Sequence, residues 1–390
     1  MPQDIKKLKV ALVYDRVNKW GGAERVVIAL RKIFPDSILY TSVYKNDRAS
    51  WAKKIPVVNS FLQKIPFAST HHESIAPLMP FAFESFNFDK FDLVISVTSE
   101  AGKGIITKPG TYHMSIILTP TRYLWSGYEE YFSNQTLKTI ALPVVWYLRF
   151  WDKIAARRPD KLLGISETVR RRIKKYYDLD SDIVYPPLML KPIRRGSKMN
   201  DKGLGNKKNL PAGEAGRQSS IVNRQSYFLV VSRLVPYKKV ELAIGAANKL
   251  KAPLKVIGSG SEYAKLESMA GPTVEMIKYV SDQELKEYYA NAKALIFPGE
   301  EDFGLVMVEA NSLGIPVIAY RGGGAEEIVI EGKTGVFFDK QTVSSLVEVL
   351  KSFKPSRYNS SDCKRNARRF SFEQFEKKIR ELVNESIHNT

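Results

Sequence analysis

The chain has 390 residues, of which 44% are hydrophobic and 11% are aromatic. At roughly 150 residues per domain, this length predicts two or three globular domains, and the composition excludes wholesale disorder. There are 60 Lys and Arg residues against 41 Asp and Glu residues, which gives a formal net charge of +19. Such an excess predicts an anionic partner, and charge alone leaves open phosphorylated metabolites, an anionic membrane and nucleic acid.

Cysteine and histidine are scarce in this sequence. Cys363 is the only cysteine, and the four histidines are scattered along the chain. This excludes a disulfide framework and a structural zinc site, and it fits a reducing compartment. The first nine residues are polar and basic and lead directly into a strand, and no apolar run reaches the roughly 18 residues of a spanning helix. We therefore expect neither a signal peptide nor an integral membrane segment.

The first half of the chain alternates predicted strands and helices. Val10 to Asp15 is a continuous apolar run typical of a buried parallel strand, and Gly21-Gly22 then opens a predicted helix from Ala23 to Ile33. The other elements predicted here are strands at Ile38 to Val43, Phe91 to Thr98, Met114 to Leu118 and Lys161 to Ile165, and a helix at Glu167 to Tyr177. This alternation predicts an α/β domain with a parallel sheet over residues 1–187.

Residues 188–226 are rich in Lys, Arg, Gly, Ser, Asn and Gln, which predicts a basic, flexible linker or insertion. A second α/β series occupies residues 227–370. Its predicted elements are strands at Tyr227 to Val231, Leu254 to Ile257, Ala294 to Phe297 and Val317 to Tyr320, and helices near Lys239 to Leu250, from Asp282 after a Ser281/Glu284 capping box, and at Leu305 to Leu313.

Residues 371–390 are predicted to form a last helix. A capping-box signature at Ser371 to Gln374 starts it, and one apolar stripe needs a core to pack on; the stripe consists of Phe372, Phe375, Ile379, Leu382 and Val383. The two halves together predict two Rossmann-like units. Ligands of such sheets bind at the carboxyl ends of the strands, so the cleft between the units is the expected site.

The segment from Phe297 to Ala310 carries the strongest chemical signal. Glu301 lies in a predicted loop and Glu309 on the following helix. Between them, Phe303, Gly304 and Leu305 supply backbone N–H groups at a helix start, where oxyanions and hydroxyls are readily bound. A carboxylate beside such a start suits a polyol. The alternative is a surface acidic loop ahead of an amphipathic helix.

Two cations precede this segment in a comparable position. Arg233 and Lys238 follow the first strand of the second domain and could neutralise a diphosphate, although either residue alone would ordinarily be a solvated charge. Gly258-Ser259-Gly260, after the next strand, allows close backbone approach. Gly21-Gly22 could cradle a phosphate from the first domain. The full Gly-x-Gly-x-x-Gly fingerprint is missing there, which argues against NAD or FAD.

These residues resemble the nucleotide-sugar-dependent retaining glycosyltransferases of family four, which have the GT-B fold. The resemblance rests on Arg233 with Lys238, Glu301 with Glu309, and Gly322 to Gly324 with Glu327. It extends over nearly the whole chain through Gly21-Gly22-Ala23-Glu24-Arg25, Leu78-Met79-Pro80, Phe91 to Ser96, Thr119 to Trp125, Ser166, Val184 to Pro187 and Ala367 to Glu373. Within this family, the chain is similar to the branch whose members add mannose or related sugars to lipid-linked saccharides. The resemblance implies two Rossmann-like domains facing across a cleft, with the last helix packing back towards the first domain. Residues 1–187 would form the acceptor-side domain, and residues 227–370 would form the domain that binds the nucleotide sugar.

The resemblance also implies a role for each matching residue. Arg233 and Lys238 would hold the donor diphosphate, and Gly21-Gly22 would approach it from the first domain. Glu309 would bind the donor ribose. Glu301 and the backbone amides of Phe303, Gly304 and Leu305 would hold the donor sugar. Gly258 and Gly260 would contact the donor sugar or its nucleotide.

The family normally needs neither a metal nor a cofactor, because the nucleotide sugar is a substrate; GDP-mannose is weakly favoured. Asp178-Leu179-Asp180 spells a metal-binding Asp-x-Asp, but its place in a turn after a basic helix predicts a solvated loop.

One departure from the family pattern concerns the segment before Thr119. The family usually has a His there whose side chain or backbone reaches the reaction centre, whereas this chain has Leu118. His113 is five residues earlier, and on a strand that odd offset turns it to the opposite face. The change puts in doubt a polar contact to the sugar but leaves the donor-binding residues untouched.

The positive charge is concentrated in two segments. Arg149 to Lys175 has ten Lys and Arg against three acidic residues, and Leu188 to Ser226 has nine against two. The first segment is either the solvent face of an amphipathic helix or a surface that attracts anionic lipid and a lipid-diphosphate acceptor. Ile140 to Trp151 is a candidate interfacial patch, with a buried core helix as the alternative. We expect a cytoplasmic protein that is peripheral at the inner face of the membrane.

The leading hypothesis is a hexosyltransferase that acts on a lipid-linked or saccharide acceptor. A GT-B sugar-nucleotide epimerase, which needs no acceptor, is the alternative within enzymes. A catalytically silent scaffold of the same fold is a further possibility because of Leu118. A nucleic-acid-binding protein fits the charge, but the basic segments lack the aromatic residues and motifs typical of that class.

Overall fold

A computed structural model describes residues 8–66, 72–132, 134–189 and 227–388. The predicted linker, residues 188–226, lies almost wholly outside the described residues. The strands are β1 (Val10–Tyr14), β2 (Ile38–Thr41), β3 (Val57–Asn59), β4 (Leu93–Thr98), β5 (Tyr112–Ile117), β6 (Lys161–Gly164), β7 (Asp182–Ile183), β8 (Tyr227–Val231), β9 (Leu254–Ile257), β10 (Val274–Ile277), β11 (Ala292–Phe297), β12 (Val317–Tyr320) and β13 (Gly335–Phe338).

The α-helices follow the same chain order. They are α1 (Gly22–Ile33), α2 (Met79–Glu84), α3 (Tyr128–Tyr131), α4 (Gln135–Ala155), α5 (Glu167–Tyr177), α6 (Val240–Leu250), α7 (Tyr263–Met269), α8 (Asp282–Ala290), α9 (Leu305–Ser312), α10 (Ala325–Ile328), α11 (Val343–Ser352), α12 (Ser360–Ala367) and α13 (Phe372–His388).

The strands form two open, parallel sheets, one in each domain. The first has the order β3-β2-β1-β4-β5-β6-β7, and the second has the order β10-β9-β8-β11-β12-β13. β1, β4 and β8 are apolar runs because helices cover both faces of their sheets. In each sheet the strand order reverses between two neighbouring central strands. These neighbours are β1 and β4 in the first sheet and β8 and β11 in the second. Ligands of doubly wound sheets bind at the carboxyl edge of these positions.

The last helix returns to the first domain, as predicted. α13 contacts α1, and the ammonium of Lys32 lies 5.3 Å from the ring centroid of Phe372. The apolar stripe of α13 is buried in a core shared with residues of α1 and β1. The Leu188 amide donates a hydrogen bond of 2.7 Å to the Phe370 carbonyl, so the chain's exit from the first domain and its return lie side by side.

The described residues contain no helix that is long and apolar enough to cross a membrane. α4 is the longest at 21 residues, and it contains Pro143. One side of it packs inwards through Val145, Leu148 and Trp151, while Trp146 and Phe150 are exposed. One face of this segment is therefore buried, as the core-helix alternative predicts, and the other face is exposed; an interfacial role for the exposed face stays a prediction.

Candidate functional site

The loop after β11 leads into α9 through a glycine that no other residue could replace without strain. Gly304 has a φ of 96°, and a Cβ atom there would lie 2.4 Å from Cε of Met307. The neighbouring Phe303 is buried against Tyr185 and Phe370, with ring centroids 5.7 and 5.4 Å away. Phe303 thus anchors the loop between the domains, while Gly304 turns the chain so that α9 can start at Leu305.

The glycine-rich turn after β12 packs directly against the backbone of the same loop. The Gly324 amide donates a hydrogen bond of 2.8 Å to the Glu301 carbonyl, and a Cβ atom on Gly323 would lie 2.3 Å from that oxygen. A Cβ atom on Gly324 would lie 2.3 Å from the Phe303 carbonyl. The glycine run therefore allows close backbone packing, which fixes the position of the Glu301 loop.

The sequence-predicted cation Lys238 meets the sequence-predicted carboxylate Glu301. Lys238 is 8% exposed, and its ammonium forms an ion pair with the Glu301 carboxylate. A Cβ atom on Gly299 would lie 2.9 Å from Cα of Lys238, so the two loops pack closely. The carboxyl edges of β8 and β11 thereby bring together the two residues that the sequence assigned to diphosphate and sugar.

Arg233 lies nearby. Its side chain is exposed, so its guanidinium is accessible to a ligand. Its guanidinium donates a hydrogen bond of 2.6 Å to the Tyr237 hydroxyl. From the first domain, Arg122 stacks on the Tyr237 ring at 4.4 Å, and its guanidinium lies 3.9 Å from the Asp302 carboxylate. The sequence pattern did not identify Arg122 and Tyr237 individually, because they meet only across the cleft.

Gly258 and Gly260 allow a close approach of the protein's own backbone, and their contact with the donor stays a prediction. A Cβ atom on Gly258 would lie 1.8 Å from the Ser232 carbonyl, and one on Gly260 would lie 2.2 Å from the Leu234 carbonyl. The Leu234 amide also donates to the Ser259 carbonyl at 2.9 Å. These glycines therefore position the loop that carries Arg233.

Glu309 is buried and already paired across the domain boundary. It is 1% exposed, its Oε1 pairs with the guanidinium of Arg25 on α1, and its Oε2 accepts a hydrogen bond of 3.2 Å from the Tyr289 hydroxyl. Burial would lower the pKa of Arg25, but Glu309 raises it above its ordinary value. Burial, with a smaller effect of Glu309, raises the pKa of Tyr289.

Further polar contacts between the domains surround the site. Arg172 on α5 pairs with Asp302 and, at 3.1 Å, with Glu300. The Glu327 carboxylate accepts hydrogen bonds from the amides of Glu167 at 2.8 Å and Thr168 at 3.3 Å. A carboxylate of the second domain thus caps a helix of the first, where the helix dipole favours negative charge.

A buried carboxylate holds the Thr119 to Trp125 segment that carries Arg122. Asp152 accepts hydrogen bonds from Thr121 at 3.0 Å, Trp125 at 2.7 Å and Tyr177 at 2.7 Å. The ammonium of Lys103 lies 2.6 Å from the same carboxylate, and both side chains are almost fully buried. Every oxygen of this carboxylate is satisfied, which fixes the segment facing the cleft.

On the first-domain side, Gly21 and Gly22 lie at the start of α1, as predicted. A Cβ atom on Gly22 would lie 3.4 Å from Cδ1 of Leu305, so the start of α1 faces the start of α9. Glu24, in the first turn of α1, is 1% exposed, and its Oε1 accepts a hydrogen bond of 2.6 Å from the Tyr14 hydroxyl. Sequence reasoning treated Glu24 only as part of a motif.

The side chain of Lys19 is exposed near these groups. Desolvation by its surroundings lowers the pKa of its ammonium, Glu24 raises it, and Arg16 and Arg233 lower it further. Arg233 belongs to the second domain, so this loop of the first domain faces the diphosphate-binding candidate. The side of the cleft formed by the first domain therefore contains charges of both signs.

Leu118 and His113 both pack into the first domain. Leu118 is partly buried against the shared core. His113 is fully buried, with its Nε2 2.9 Å from the Ser96 hydroxyl, and burial lowers its pKa to about 3. His113 does not take over the contact that Leu118 lacks. The Asp178-Leu179-Asp180 turn lies after α5, where Lys174 is 3.4 Å from each of the two carboxylates.

No group of three or more potential metal ligands occurs among the residues that the structure describes.

Residues 214–370 match the model of the family described as Glycosyl transferases group 1. An uncharacterized glycosyltransferase of Methanocaldococcus jannaschii is 28% identical over 169 residues, which are 41% of this chain and 48% of that protein. A GDP-mannose-dependent alpha-(1-6)-phosphatidylinositol monomannoside mannosyltransferase of Mycolicibacterium smegmatis is 31% identical over 134 residues, 30% of this chain and 35% of that protein. The chain spans less than half the length of these curated relatives.

The fold is similar to that of the crystal structure of Anabaena Alr3699/HepE in complex with UDP. The TM-score is 0.66 at 16% sequence identity, and the match covers 97% of this chain and all of that chain. The two open parallel sheets give the chain the two-domain architecture of GT-B glycosyltransferases, which confirms the predicted fold class.

Proposed function

We propose that the chain is a retaining glycosyltransferase that moves a hexose from a nucleotide-diphosphate sugar to a saccharide or lipid-linked acceptor, in glycan or polysaccharide biosynthesis. The observation that carries the proposal is the ion pair of Lys238 with Glu301 ahead of α9. Arg233 lies beside this pair, because it donates to the Tyr237 hydroxyl and Lys238 lies over the Tyr237 ring. This edge of the sheet offers two cations for a diphosphate and a carboxylate for sugar hydroxyls. The match of residues 214–370 to Glycosyl transferases group 1 supports the same chemistry.

In this proposal the donor diphosphate displaces Glu301 from Lys238. A diphosphate carries more charge than one carboxylate, so it competes well for a cation that is already buried. Glu301 is then free to accept hydrogen bonds from the transferring sugar, together with the amides of Phe303 to Leu305 at the start of α9. Gly21 and Gly22 approach the phosphates from the first domain.

Arg233 and Lys238 stabilise the leaving diphosphate in place of a metal ion. Negative charge grows on the leaving group as the glycosidic bond breaks, and fixed cations stabilise that charge without reorganisation. Glu309 binds the donor ribose. Its oxygens contact Arg25 and Tyr289, and each oxygen keeps a further lone pair for a ribose hydroxyl.

We propose GDP-mannose as the first donor to test and a UDP-sugar as the second. The named mannosyltransferase relative supports the first, and the UDP-bound Anabaena structure supports the second.

We also propose that the protein works at the cytoplasmic face of an anionic membrane, where a lipid-linked acceptor would be found. The exposed side of α4 supports this; its apolar members are Ile140, Leu142, Val144, Trp146, Phe150 and Ile154. Trp146 and Phe150 are stacked with ring centroids 6.1 Å apart. The ammonium groups of Lys153 and Lys175 lie over Trp125 and Tyr176, whose rings stack 5.2 Å apart, so α4 and α5 present one continuous surface. Apolar side chains beside cations are typical of interfacial binding.

A panel of nucleotide sugars tests the donor. A ligand at 100 times its dissociation constant should stabilise the fold by about 2.7 kcal/mol, so thermal unfolding with GDP-mannose, UDP-glucose and the matching free nucleotides would identify the donor. Turnover is then followed with and without a decyl glycoside acceptor. Transfer to the acceptor with retained anomeric configuration is the expected result.

Two outcomes would replace the proposal. Release of an altered sugar from the donor with no use of any acceptor would indicate an epimerase. Absence of stabilisation and of turnover with every donor would indicate a silent scaffold.

A further inference from the structure

Three cations, one of them from the first domain, surround a single tyrosine side chain at the cleft. Tyr237 lies in the turn after β8. Its hydroxyl accepts a hydrogen bond of 2.6 Å from Arg233, and the ammonium of Lys238 lies 5.0 Å from its ring centroid. The guanidinium carbon of Arg122, from the first domain, lies 4.4 Å from the same centroid. The first domain therefore places a positive charge at the edge of the second sheet where the diphosphate is proposed to bind.

The backbone that carries Arg122 is fixed by contacts on both sides of it. The Arg122 carbonyl accepts a hydrogen bond of 2.9 Å from the Gly127 amide. Thr121 and Trp125 donate hydrogen bonds of 3.0 and 2.7 Å to the buried Asp152 carboxylate. This segment follows β5, at the carboxyl edge of the first sheet. Arg122 therefore reaches across the cleft from a rigid base.

The guanidinium of Arg122 has a donor without a protein partner. Its Nε is buried and makes no hydrogen bond to any of the described residues. The Asp302 carboxylate lies 3.9 Å from this nitrogen, which is beyond hydrogen-bond distance, and Asp302 is already paired with Arg172. Burying a polar donor without a partner costs free energy, and native proteins retain few such groups. A ligand that accepts hydrogen bonds would satisfy this donor.

The electrostatic surroundings of Arg122 connect it to the carboxylate proposed for the sugar. Burial would lower the pKa of Arg122, but Asp302, Tyr237 and Glu301 raise it above its ordinary value. Arg122 therefore lies close enough to Glu301 to be influenced by its charge. In the proposed function Glu301 holds the transferring sugar, so Arg122 lies near the position where sugar and diphosphate would be joined.

The charges around Tyr237 favour a diphosphate as the ligand. Arg233 donates to the neutral Tyr237 hydroxyl, and Arg122 lies against the face of its ring. In the part of the chain that the structure describes, neither guanidinium has a carboxylate within hydrogen-bond distance. Each guanidinium can donate two parallel hydrogen bonds to a phosphate, so two of them on one side chain suit a ligand with two phosphates. A metal ion would be repelled by the same charges.

We propose that Arg122 is a further catalytic residue, which binds the sugar-linked phosphate of the donor from the first domain while the face of Tyr237 orients its guanidinium. The inference rests on the proposed function, because it adds a cation to that donor site. It also makes the donor diphosphate a ligand of both domains.

A cation at this phosphate would stabilise the transition state as well as the bound donor. When the bond between the anomeric carbon and the phosphate oxygen breaks, its electron pair stays on that oxygen. The acceptor oxygen takes the phosphate's place on the carbon and gives up its proton to the released diphosphate. Arg122 would stabilise the negative charge that grows on the phosphate, and its fixed position means that little reorganisation is needed.

Calorimetric titration of the full-length chain tests the proposal by comparing GDP with GMP, and UDP with UMP. Only the diphosphates have the phosphate assigned to Arg122. The variant is Arg122→Ala, and the matched control is Arg31→Ala, which also removes a half-buried arginine from the first domain. Arg31 lies in the last turn of α1 and donates to the Ser37 carbonyl at 2.8 Å, just before β2 and away from the cleft.

We expect Arg122→Ala to bind the preferred nucleoside diphosphate at least about tenfold more weakly than the wild type, with little change for the monophosphate. Arg31→Ala should bind both like the wild type. Donor turnover by Arg122→Ala should also fall. An arginine that only braced the two domains would change both affinities alike. Equal diphosphate binding by the wild type and Arg122→Ala, or equal losses for the diphosphate and the monophosphate, would overturn the inference.

Two variants of Tyr237 test how Arg122 is oriented. Tyr237→Phe keeps the ring and removes the hydroxyl that bonds to Arg233, whereas Tyr237→Leu removes the ring. In double-mutant cycles, Arg122→Ala should keep its full effect on diphosphate affinity in Tyr237→Phe and lose most of it in Tyr237→Leu. A full effect in Tyr237→Leu would overturn the role given to the ring.

Folding and the proposed function are checked separately. Thermal unfolding shows whether each variant is folded, and if Arg122→Ala is not, Arg122→Gln repeats the comparison with a side chain that keeps neutral donors. Failure of the wild type to bind any nucleotide would remove the proposed function and this inference with it. Nucleotide binding that the loss of Arg122 leaves unchanged would remove this inference alone.

Discussion

At the scale of single residues, Glu301 and Glu309 belong to one segment but have different neighbours. Glu301 is partly exposed and pairs with Lys238, whereas Glu309 is buried between Arg25 and Tyr289. Some contacts strengthen as positive charge develops at the anomeric carbon, and losing such a contact lowers kcat. A contact that is equal in ground and transition states changes KM.

We therefore expect Glu301→Gln to lower kcat with little change in donor KM, by on the order of 2.7–4 kcal/mol of transition-state stabilisation. Glu309→Gln should chiefly raise the donor KM. Steady-state kinetics with the identified donor measures both effects, and Glu326→Gln, an exposed carboxylate on α10, is the control for charge loss. Wild-type kinetics in both variants would mean that this segment is not the donor site.

The two cations proposed to hold the diphosphate give a second prediction. Arg233→Ala or Lys238→Ala should weaken donor binding by roughly 1.5–3 kcal/mol, the usual contribution of a charged hydrogen bond. Lys249→Ala, an exposed cation on α6, should bind the donor like the wild type. Calorimetric titration measures the affinities. Activity that EDTA abolishes and that Mg²⁺ or Mn²⁺ restores would contradict the assignment of this role to the two side chains.

His113 gives a prediction on stability. Its folded-state pKa of about 3 lies below the ordinary value of 6.5, so the unfolded chain binds the proton first as the pH falls. The stability that depends on neutral His113 is complete above pH 6.5 and decreases from there towards pH 3, by up to about 1.4 kcal/mol per pH unit. Urea unfolding at pH 7, 6 and 5 should show this loss in the wild type but not in His113→Gln. Parallel pH profiles would contradict it.

At the scale of elements, α4 differs from the other helices because apolar side chains cover two of its faces. Burial against the core accounts for Val145, Leu148 and Trp151, and nothing among the described residues covers Trp146 and Phe150. Arg149 and Arg172 do not belong to the proposed membrane surface. Arg149 donates to the Leu124 carbonyl at 2.7 Å, and Arg172 pairs with the second domain. The positive charge counted from the sequence is therefore larger than the charge that this surface would present to a membrane.

Replacing Trp146 and Phe150 with Ser should abolish or strongly weaken binding to anionic vesicles. Each side chain that inserts contributes about 1.5–3 kcal/mol, and each cation near the surface contributes about 1 kcal/mol. Vesicle sedimentation at low and high salt measures the binding. Tyr279→Ser is the matched control, since Tyr279 is an 86% exposed aromatic of the second domain. Equal binding of the wild type to neutral and anionic vesicles, or binding to neither, would remove the proposal.

The sequence predicted elements well where local signals were complete. The Ser281/Glu284 capping box is formed, and α5, β8, β9 and β12 have the predicted bounds. The short strands β3, β7, β10 and β13 were missed, because two to four residues carry too little periodicity to stand out. In β10 the polar Glu275 also interrupts the apolar run, as is common in a strand at the edge of a sheet.

At the scale of the whole molecule, the pairs that join the domains were beyond sequence reasoning. Arg25 and Glu309 are separated by 284 positions, and Glu327 reaches the start of α5 from 160 positions away. Glu327 was noted only as part of a motif, and its partners are backbone amides, which no residue type reveals. The motif pointed to loops that lie together at one edge of the second sheet, because strand ends of parallel sheets meet at one edge. That these loops bind the donor stays a prediction.

A crystal structure of the full chain with an intact, slowly reacting nucleotide-sugar donor tests the central claim most directly. The account predicts the diphosphate within hydrogen-bond distance of Arg233 and Lys238, with Lys238 released from Glu301, the sugar at Glu301 and the start of α9, and the ribose at Glu309. A donor bound away from the carboxyl edges of β8 and β11, or a diphosphate held by a metal ion while Lys238 stays paired with Glu301, would contradict it.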